Sequence, residues 1–294
     1  MKRKLNKKRL AFIITIILAI ISALVYLLIV IFAPAKNTEH STPNHTTKKE
    51  AISSIDYYLP TLKSRYKQYK TNHPNLSNED VVTHINMNLD YNFYEYSTIQ
   101  ERPDSLNALV NKYYRLTDTY KPETLLYIND GYTTNTDPAY RYRKQEMSQV
   151  IYEDFVALRD RCRKKGISFY VVSGYRSTDN QIKSYNHMVK INGISEADKT
   201  CSRPGHSEHT LGIACDVALD SYSFMDILKH PDYKWFESIL ADYGFIIRYP
   251  DGKENLTGYS YEPWHLRYLG KDLAKKVVKS HLTYDEYYAR YFMY

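Results

Sequence analysis

The sequence has 294 residues, of which 43% are hydrophobic, and this length allows one sizeable folded domain with additional segments. The formal net charge is +7, but the first nine residues contain six lysines and arginines and no acidic residue. The rest of the chain is therefore close to neutral. This argues against a nucleic-acid-binding domain, because such domains carry clustered positive charge.

An apolar run at residues 10–33 is interrupted only by Thr15 and Ser22, and it is long enough to cross a bilayer. Because the basic residues 1–9 precede it, we expect a cytoplasmic tail, a single transmembrane anchor at 10–33 and an extracellular remainder. A cleaved signal peptide is the alternative, although its apolar core normally has about 7–15 residues. A buried core helix would show a polar face, which this run lacks. Residues 34–53 are polar and predict a flexible linker.

Residues 54–135 are predicted to form a lead-in region that packs on the core domain. Leu62, Tyr66 and Tyr69 have the spacing of one helical face. Ser77 is followed by acidic residues and predicts the start of a second helix. Further along, residues 84–94 are predicted to form a strand or a loop, and residues 109–113 a strand. Another element is predicted to begin at residues 122–126.

The core domain is assigned to residues 136–294. Its first predicted helix carries an apolar stripe and ends at Gly166. Asp179 is predicted to cap a later helix that carries Gln181. Helices are predicted at 145–165, 231–243, 271–280 and 284–294, and strands at 167–172, 213–218 and 245–249.

Two segments are rich in side chains that can bind a metal, PGHSEHTLGIACDV at 204–217 and EPWHLRY at 262–268. They contain the imidazoles of His209 and His265 and the carboxylates of Asp216 and Glu262. A catalytic zinc site typically has three protein ligands and one position for water. Two imidazoles and one carboxylate can serve as those ligands, and the second carboxylate is then free to act as a base.

Local sequence also predicts the backbone around these residues. Gly212 allows a turn between His209 and Asp216, so that the chain can return on a short strand. Pro263 cannot lie inside a helix, so Glu262 is predicted on an extended or turn segment. Any one of these residues alone would more often be an ordinary hydrogen-bonded polar group.

Three short motifs occur in order: SGYRS at 173–177, SEHTLGIACD at 207–216 and EPWHLRY at 262–268. In combination they resemble the motifs of VanY-type zinc D-alanyl-D-alanine carboxypeptidases, which are relatives of the VanX dipeptidases and, more distantly, of the hedgehog zinc domain. The resemblance covers roughly residues 57–268. The pair Thr210-Leu211 stands where this family more often has Gln-Thr, at positions that bind no metal.

The resemblance implies an α+β fold with a small antiparallel central sheet flanked by helices. It also implies one Zn²⁺ per chain. The implied metal ligands are His209, Asp216 and His265. Glu262 is implied as the base and Arg176 as the residue that stabilises the oxyanion. Ser207 and Gln181 are implied to bind the substrate. His206 is given at most a lining role, because the family motif places no ligand there.

The implied reaction is hydrolysis of the C-terminal residue of peptidoglycan stem peptides that end in D-Ala-D-Ala, outside the membrane. Where a glycopeptide antibiotic is present, the same reaction would remove its binding site and give antibiotic resistance. An L,D-carboxypeptidase that acts on tetrapeptide stems shares every motif quoted above and stays open as an alternative. A non-catalytic zinc-stabilised binding module is disfavoured, because such a module needs neither Glu262 nor Arg176.

The three cysteines cannot all pair, since their number is odd. Cys201 and Cys215 flank the predicted site and could form a bridge, but sequence alone does not establish the required geometry. No C-x-x-C pattern occurs, so we expect no cysteine-based structural zinc.

Overall fold

The computed structural model describes residues 51–128 and 145–293. Residues 50–294 form one compact unit. The predicted tail and anchor, and nearly all of the predicted linker, lie outside the described residues. Within the described ranges no helix is long and apolar enough to cross a bilayer.

The described residues contain two helices, then four short strands, and after these a series in which helices and strands alternate until the last two helices. The α-helices are α1 (Lys63–Asn72), α2 (Asn78–Asn86), α3 (Gln149–Lys165), α4 (Thr178–Thr200), α5 (Tyr233–Ile239), α6 (Glu254–Thr257), α7 (Lys271–Ser280) and α8 (Tyr284–Tyr291). The strands are β1 (Thr98–Ile99), β2 (Tyr114–Arg115), β3 (Leu125–Tyr127), β4 (Glu146–Ser148), β5 (Phe169–Ser173), β6 (Ala214–Leu219), β7 (Phe245–Ile247) and β8 (His265–Tyr268). Short 3₁₀ segments lie at Ile52–Ser54, Pro60–Leu62, Glu208–Leu211, Phe224–Lys229 and Leu240–Tyr243.

The central sheet has four antiparallel strands in the order β5-β6-β8-β7, which confirms the predicted antiparallel sheet of an α+β fold. Its register pairs Asp216 of β6 with His265 of β8. Directly opposed residues on neighbouring strands have their side chains on the same face of the sheet. The register therefore brings the carboxylate and the imidazole side by side. A bulge between Val171 and Ser173 changes the pairing of β5 just before the chain leaves the sheet.

α3 packs against the sheet through an apolar stripe. The stripe consists of Ile151, Phe155, Leu158 and Cys162, all buried. The Phe155 ring lies 5.3 Å from that of Phe169 and 6.5 Å from that of Phe245. Each large apolar side chain buried in this way contributes about 1.5–3 kcal/mol relative to an exposed one. This core holds the strands whose ends carry the candidate site.

Two helices begin at residues other than those predicted. α3 starts at Gln149, not at Gln145, because residues 146–148 pair with β3 and the Ser148 side chain caps the helix. α4 is capped by Ser177, whose side chain accepts a hydrogen bond from the amide of Asn180. Asp179, the predicted cap, lies inside the first turn, where a negative charge is also favourable.

The strand predicted at 109–113 is wrong. The side chain of Asn111 accepts hydrogen bonds from the amides of Tyr113 and Tyr114, at 2.8 and 2.9 Å, and turns the chain before β2. His84 lies in α2 rather than in the predicted strand or loop, whereas the Ser77 cap of this helix is confirmed. The predicted strands at 167–172, 213–218 and 245–249 and the helix at 271–280 are confirmed to within two residues.

Residues of the lead-in region contact the elements that follow it in the chain. The Asn86 amide nitrogen donates to the carbonyl of Ala289 in α8, at 3.3 Å. Arg267 of β8 donates to the carbonyls of Leu106 and Ala108, at 2.9 and 2.7 Å. The region thus supplies acceptors to a buried cation of the central sheet.

A buried ionic network lies between the sheet and α8. Both Arg248 and Arg267 are fully buried, and each donates to the same oxygen of Glu208, at 2.8 and 2.7 Å. Arg248 also pairs with Asp285 of α8 at 2.5 Å. Asn111 donates to that carboxylate at 2.7 Å. Two guanidinium groups therefore face two carboxylates, and each charge has a partner.

Replacing Asp285 with asparagine should leave the buried Arg248 without one of its counter-ions. We expect Asp285→Asn to lower the free energy of unfolding by about 3 kcal/mol, since breaking a buried ion pair on one side typically costs about 3–5 kcal/mol. Urea unfolding, followed by circular dichroism, measures this change. Asp242→Asn is the matched control, because its pair with Lys275 is 64% and 54% exposed and should contribute less than about 1 kcal/mol. Equal losses for both variants would contradict the prediction.

Candidate metal centre

Three side chains converge at the edge where β6 and β8 meet. Asp216 lies in β6, His265 begins β8, and His209 lies in the 3₁₀ turn before β6. One ligand atom from each lies within 4.8 Å of the other two. His209 Nε2 is 3.2 Å from Asp216 Oδ2, and His265 Nδ1 is 2.9 Å from Asp216 Oδ1. All three predicted metal ligands are therefore brought together.

The hydrogen bonds around these imidazoles determine which nitrogen faces the centre. His209 Nδ1 lies 2.8 Å from the carbonyl of Gly174, so this nitrogen carries the proton and Nε2 is left to bind a metal. His265 turns Nδ1 towards Asp216, and its Nε2 lies 3.7 Å from Glu208 Oε2. Burial opposes ionisation of Asp216, but the two imidazoles outweigh burial and hold the pKa of this carboxyl below its usual range.

The donor set fits a small divalent cation. Ligand atoms at about 2.0–2.1 Å from a tetrahedral zinc lie about 3.4 Å apart. The distances from the two imidazoles to Asp216 are close to this value, and all three ligand atoms lie within 4.8 Å of one another. Two further buried atoms, His265 Nε2 and Glu208 Oε2, make no hydrogen bond within the described residues. When a metal holds Nδ1 of His265, its Nε2 carries the proton and can donate it to Glu208.

Glu262 lies beside the cluster without belonging to it. Its Oε2 is 3.8 Å from His265 Nδ1, and its backbone amide donates to the Tyr249 carbonyl at 3.1 Å. This segment is irregular and makes a turn at residues 263–264, in agreement with the extended or turn segment that Pro263 predicts. Burial raises the pKa of Glu262 to about 8. The carboxyl can therefore hold and release a proton near neutral pH.

Arg176 faces the cluster from the end of β5. Its guanidinium donates to Ser173 Oγ at 2.8 Å and to Gln181 Oε1 at 3.0 Å, and lies 4.0 Å from Asp216 Oδ2. Gln181 is fully buried, and its amide nitrogen donates to the Ser202 carbonyl at 2.6 Å. Two acceptors thus hold the guanidinium in one orientation. A fixed cation in this place can stabilise negative charge that develops near the metal.

Gly174 allows the close approach of two chain segments behind Arg176. A β-carbon at this position would overlap the carbonyl oxygen of Glu146. That oxygen accepts a hydrogen bond from the amide of Tyr175, at 2.6 Å, while the Gly174 carbonyl accepts from His209. Close packing therefore explains why this position of the SGYRS motif is a glycine, which the motif alone does not reveal.

The VanY family profile, described as D-alanyl-D-alanine carboxypeptidase, matches residues 144–271. This range contains the whole cluster together with Glu262 and Arg176. The curated protein named "Putative carboxypeptidase YodJ" from Bacillus subtilis (strain 168) is 37% identical over 196 residues, which cover 66% of this chain and 70% of that protein. The chain belongs to the VanY family.

Solved structures agree with this assignment. The structure of the LdcB LD-carboxypeptidase has a TM-score of 0.59 and 34% identity, and the match covers 66% of this chain and 90% of that one. A mutant of the D,D-pentapeptidase VanY from a VanB-type resistance cassette, in complex with Zn(II), has a TM-score of 0.51 and 30% identity. That match covers 63% of this chain and 98% of the VanY chain. The fold of this chain is thus similar to the folds of both solved proteins.

The remaining predicted residues lie close to the cluster. Ser207 is buried directly before the turn that carries His209, and its substrate-binding role stays a prediction, as does that of Gln181. His206 lies outside the metal cluster, since its Nδ1 is 2.7 Å from the Asn111 carbonyl and its ring packs edge-on against Tyr94.

The cysteine pair left open by the sequence is not formed. Cys201 and Cys215 are both free thiols, as is Cys162. The sulfur of Cys201 instead lies 3.5 Å from the amide nitrogen of Gln181. No disulfide therefore constrains the site.

Glu208 is the residue that motif reasoning missed, because it occupies an unassigned position in S-x-H. Its carboxylate is fully buried between Arg248 and Arg267 and faces the outer nitrogen of His265. Burial opposes its ionisation, but the two guanidinium groups outweigh burial and hold the pKa of Glu208 well below its usual range. One feature of the sequence could have indicated such a carboxylate. It is the arginine of EPWHLRY, because a buried Arg267 requires a carboxylate nearby.

We predict that Glu208→Gln weakens Zn²⁺ binding by about 10–100-fold, because loss of a partner that orients a ligand typically has an effect of this size. Competition with a chromophoric chelator measures the affinity. Asp285→Asn is the matched control, since it disturbs the same ionic network without facing His265. Wild-type zinc affinity in Glu208→Gln, or an equal loss in both variants, would argue against a specific role for Glu208.

A second prediction concerns pH and His206. Burial lowers the pKa of this imidazole to about 4. The unfolded chain, with a pKa near 6.5, then binds a proton that the folded chain does not, so stability is lost as pH falls from about 6.5 to about 4. Between pH 7.5 and pH 4.5 this residue should contribute about 2–3 kcal/mol of the loss.

Urea unfolding at both pH values measures this contribution. We expect the pH-dependent loss of stability to be smaller in His206→Gln than in the wild type by that amount. His187→Gln, at an exposed position on α4, should keep the wild-type dependence. Parallel pH profiles for the wild type and His206→Gln would contradict the assignment.

Proposed function

We propose that this VanY-family chain is a zinc carboxypeptidase that removes the C-terminal D-alanine from peptidoglycan stem peptides. The proposal is carried by the meeting of His209, Asp216 and His265 beside a buried carboxyl and a fixed guanidinium. Catalytic zinc sites keep three protein ligands and leave a position for water, whereas structural sites are closed by four. The group found within the described residues has three.

The chemistry of the proposed reaction follows from the neighbours of this cluster. A zinc ion bound there would lower the pKa of a bound water towards about 7 and polarise the scissile carbonyl. Glu262 is proposed to take the proton of the attacking water and to deliver it to the leaving amine nitrogen. Arg176 is proposed to stabilise the negative charge on the carbonyl oxygen, an effect commonly of about 3–4 kcal/mol.

We consider two specificities, which differ in whether the residue that precedes the removed D-alanine has the D or the L configuration. A D,D-carboxypeptidase that acts on pentapeptide stems is our first candidate, because the matching family profile carries that description. An L,D-carboxypeptidase that acts on tetrapeptide stems is the second. It is supported by the LdcB structure, which has the higher TM-score of the two solved structures described above.

We also propose that the reaction takes place outside the cell membrane. The support is the apolar run at 10–33 with its preceding basic tail, which is typical of a single-pass anchor with a cytoplasmic N-terminus. In this arrangement the linker at 34–53 lets the lead-in region (54–135) and the catalytic domain (136–294) reach the cell wall. Removal of a terminal D-alanine there would also remove the target of a glycopeptide antibiotic.

The zinc-loaded, full-length protein should release one D-alanine from a pentapeptide stem, with the products followed by mass spectrometry. A tetrapeptide stem is tested in parallel. Glu262→Gln should reduce the rate by about 10²–10⁴-fold, which is the usual contribution of a general base, while it retains zinc.

The outcomes separate the candidate functions. Cleavage of the tetrapeptide alone would move the assignment to the L,D class. If one zinc binds per chain and neither peptide is cleaved, the carboxypeptidase proposal fails, and a zinc-stabilised binding module becomes the better explanation.

A further inference from the structure

Lys112 is a buried cation in the lead-in region, outside the range that the family profile matches. Its side chain is 1% exposed, and within the described residues no carboxylate lies within 4.0 Å of its ammonium. The ammonium donates instead to the backbone carbonyl of Asp198, near the end of α4, and to the hydroxyl of Tyr94, at 3.4 Å. It therefore ties the lead-in region to the end of the helix that carries Gln181.

Aromatic rings supply most of the remaining contacts of this ammonium. Its nitrogen lies 3.9 Å from the ring centroid of Tyr259, 4.6 Å from that of Tyr94 and 5.6 Å from that of Phe93. Gly258 makes room for the lysine stem, because a β-carbon there would overlap its terminal methylene groups. The backbone of Gly258 is left-handed, with φ of 76°, which favours glycine at this position.

A buried ammonium that no carboxylate contacts directly gains little stability, although the Asp198 and Glu262 carboxylates act on its charge from a greater distance. An apolar side chain of the same length would avoid the loss of hydration that the charge incurs. Burial accordingly lowers the pKa of Lys112 to about 7. The lysine is therefore better explained by what it holds in place than by a contribution to folding.

The hydroxyl groups next to Lys112 form a chain with a defined direction. Tyr94 Oη accepts from Lys112 and from the amide of Arg203, at 3.3 Å, so its own proton is free to go to Tyr259 Oη, 3.1 Å away. Tyr259 in turn donates to Ser202 Oγ at 2.8 Å. The cation thus sets the direction of three successive hydrogen bonds that end on Ser202.

Ser202 connects this chain to the candidate centre. Its carbonyl accepts from Gln181, and Gln181 accepts from Arg176. A second branch of contacts runs from the Tyr259 ring to the Tyr249 ring at 4.5 Å, and from there to the His265 ring at 5.1 Å. Both branches begin at residues that touch the lysine and end at residues of the site.

We propose that Lys112 is a positioning residue whose ammonium holds the Ser202 loop in the place that Arg176 requires. Here the Ser202 loop denotes residues 201–206. This role rests on the proposed carboxypeptidase function, since it assigns Lys112 to the orientation of the residue that stabilises the oxyanion. The contacts of Lys112 include none of the three metal ligands, and its charge acts on the Glu262 carboxyl only from a distance.

Lys112→Met tests the proposal in the zinc-loaded, full-length protein, because it removes the charge and the donors at nearly constant length. We expect a Tm at or above that of the wild type and unchanged zinc affinity. Amide hydrogen exchange in the Ser202 loop should nevertheless become faster, and kcat/KM should fall by about tenfold or more on whichever stem the wild type cleaves. Lys121→Met, at an exposed position of the same region, is the control and should leave all four quantities unchanged.

Tyr259→Phe supplies a second, independent variant. It removes the hydroxyl that donates to Ser202 and keeps the ring that contacts the ammonium. We expect the same faster exchange and reduced kcat/KM. If Lys112 and Tyr259 act through one chain, the double variant should be no more impaired in kcat/KM than the more impaired single variant.

A structural role for Lys112 would give a different result. A lowered Tm together with wild-type exchange in the Ser202 loop and wild-type kcat/KM would overturn the proposal. If the wild type cleaves neither stem, the carboxypeptidase function fails by itself, and hydrogen exchange then decides on Lys112. Faster exchange in the loop at an undiminished Tm supports its positioning role, and unchanged exchange overturns it.

Discussion

The pairing of β6 with β8 is the constraint on which the candidate centre depends. It places Asp216 opposite His265, so that a carboxylate and an imidazole meet without any help from a loop. Side chains alternate between the two faces of a strand, and a shift of the register by one residue would move one of the two to the opposite face. The sheet and the packing of α3 against it therefore define the geometry of the centre as much as the ligands do.

A second constraint lies behind the ligands, in the buried network of two arginines and two carboxylates. Networks of this kind are weak evidence for stability, because the loss of hydration can exceed the attraction between the charges. Orientation is the better explanation here, since Glu208 faces the outer nitrogen of His265. The network extends to Asp285 and Asn111, both outside the range of the family profile. The surroundings of the metal ligands thus include segments that the shared family core does not contain.

The sequence predicted the cluster of candidate metal ligands better than the residues that hold this cluster in place. His209 and Asp216 were singled out because residue type and short spacing are visible in a linear sequence, and the resemblance to a known family then assigned them as metal ligands. Glu208 was missed because its importance arises only when two distant arginines fold over it. The prediction of a strand at 109–113 was wrong. Apolar residues indicate burial, but they do not show that the Asn111 side chain turns the backbone. Lys112 was passed over in the same stretch, since nothing in sequence distinguishes a buried lysine from a solvated one.

The strand order has a consequence for the assembly of the candidate metal ligands. β8 follows β7 in the chain but lies between β6 and β7 in the sheet, so β7 has no strand partner in this sheet until β8 is in place. Since β8 begins with His265, the three ligands come together only when the last central strand has entered the sheet. Any metal that binds the completed set adds its binding free energy to the folded state alone. Binding of a metal to all three ligands should therefore report that the sheet is complete.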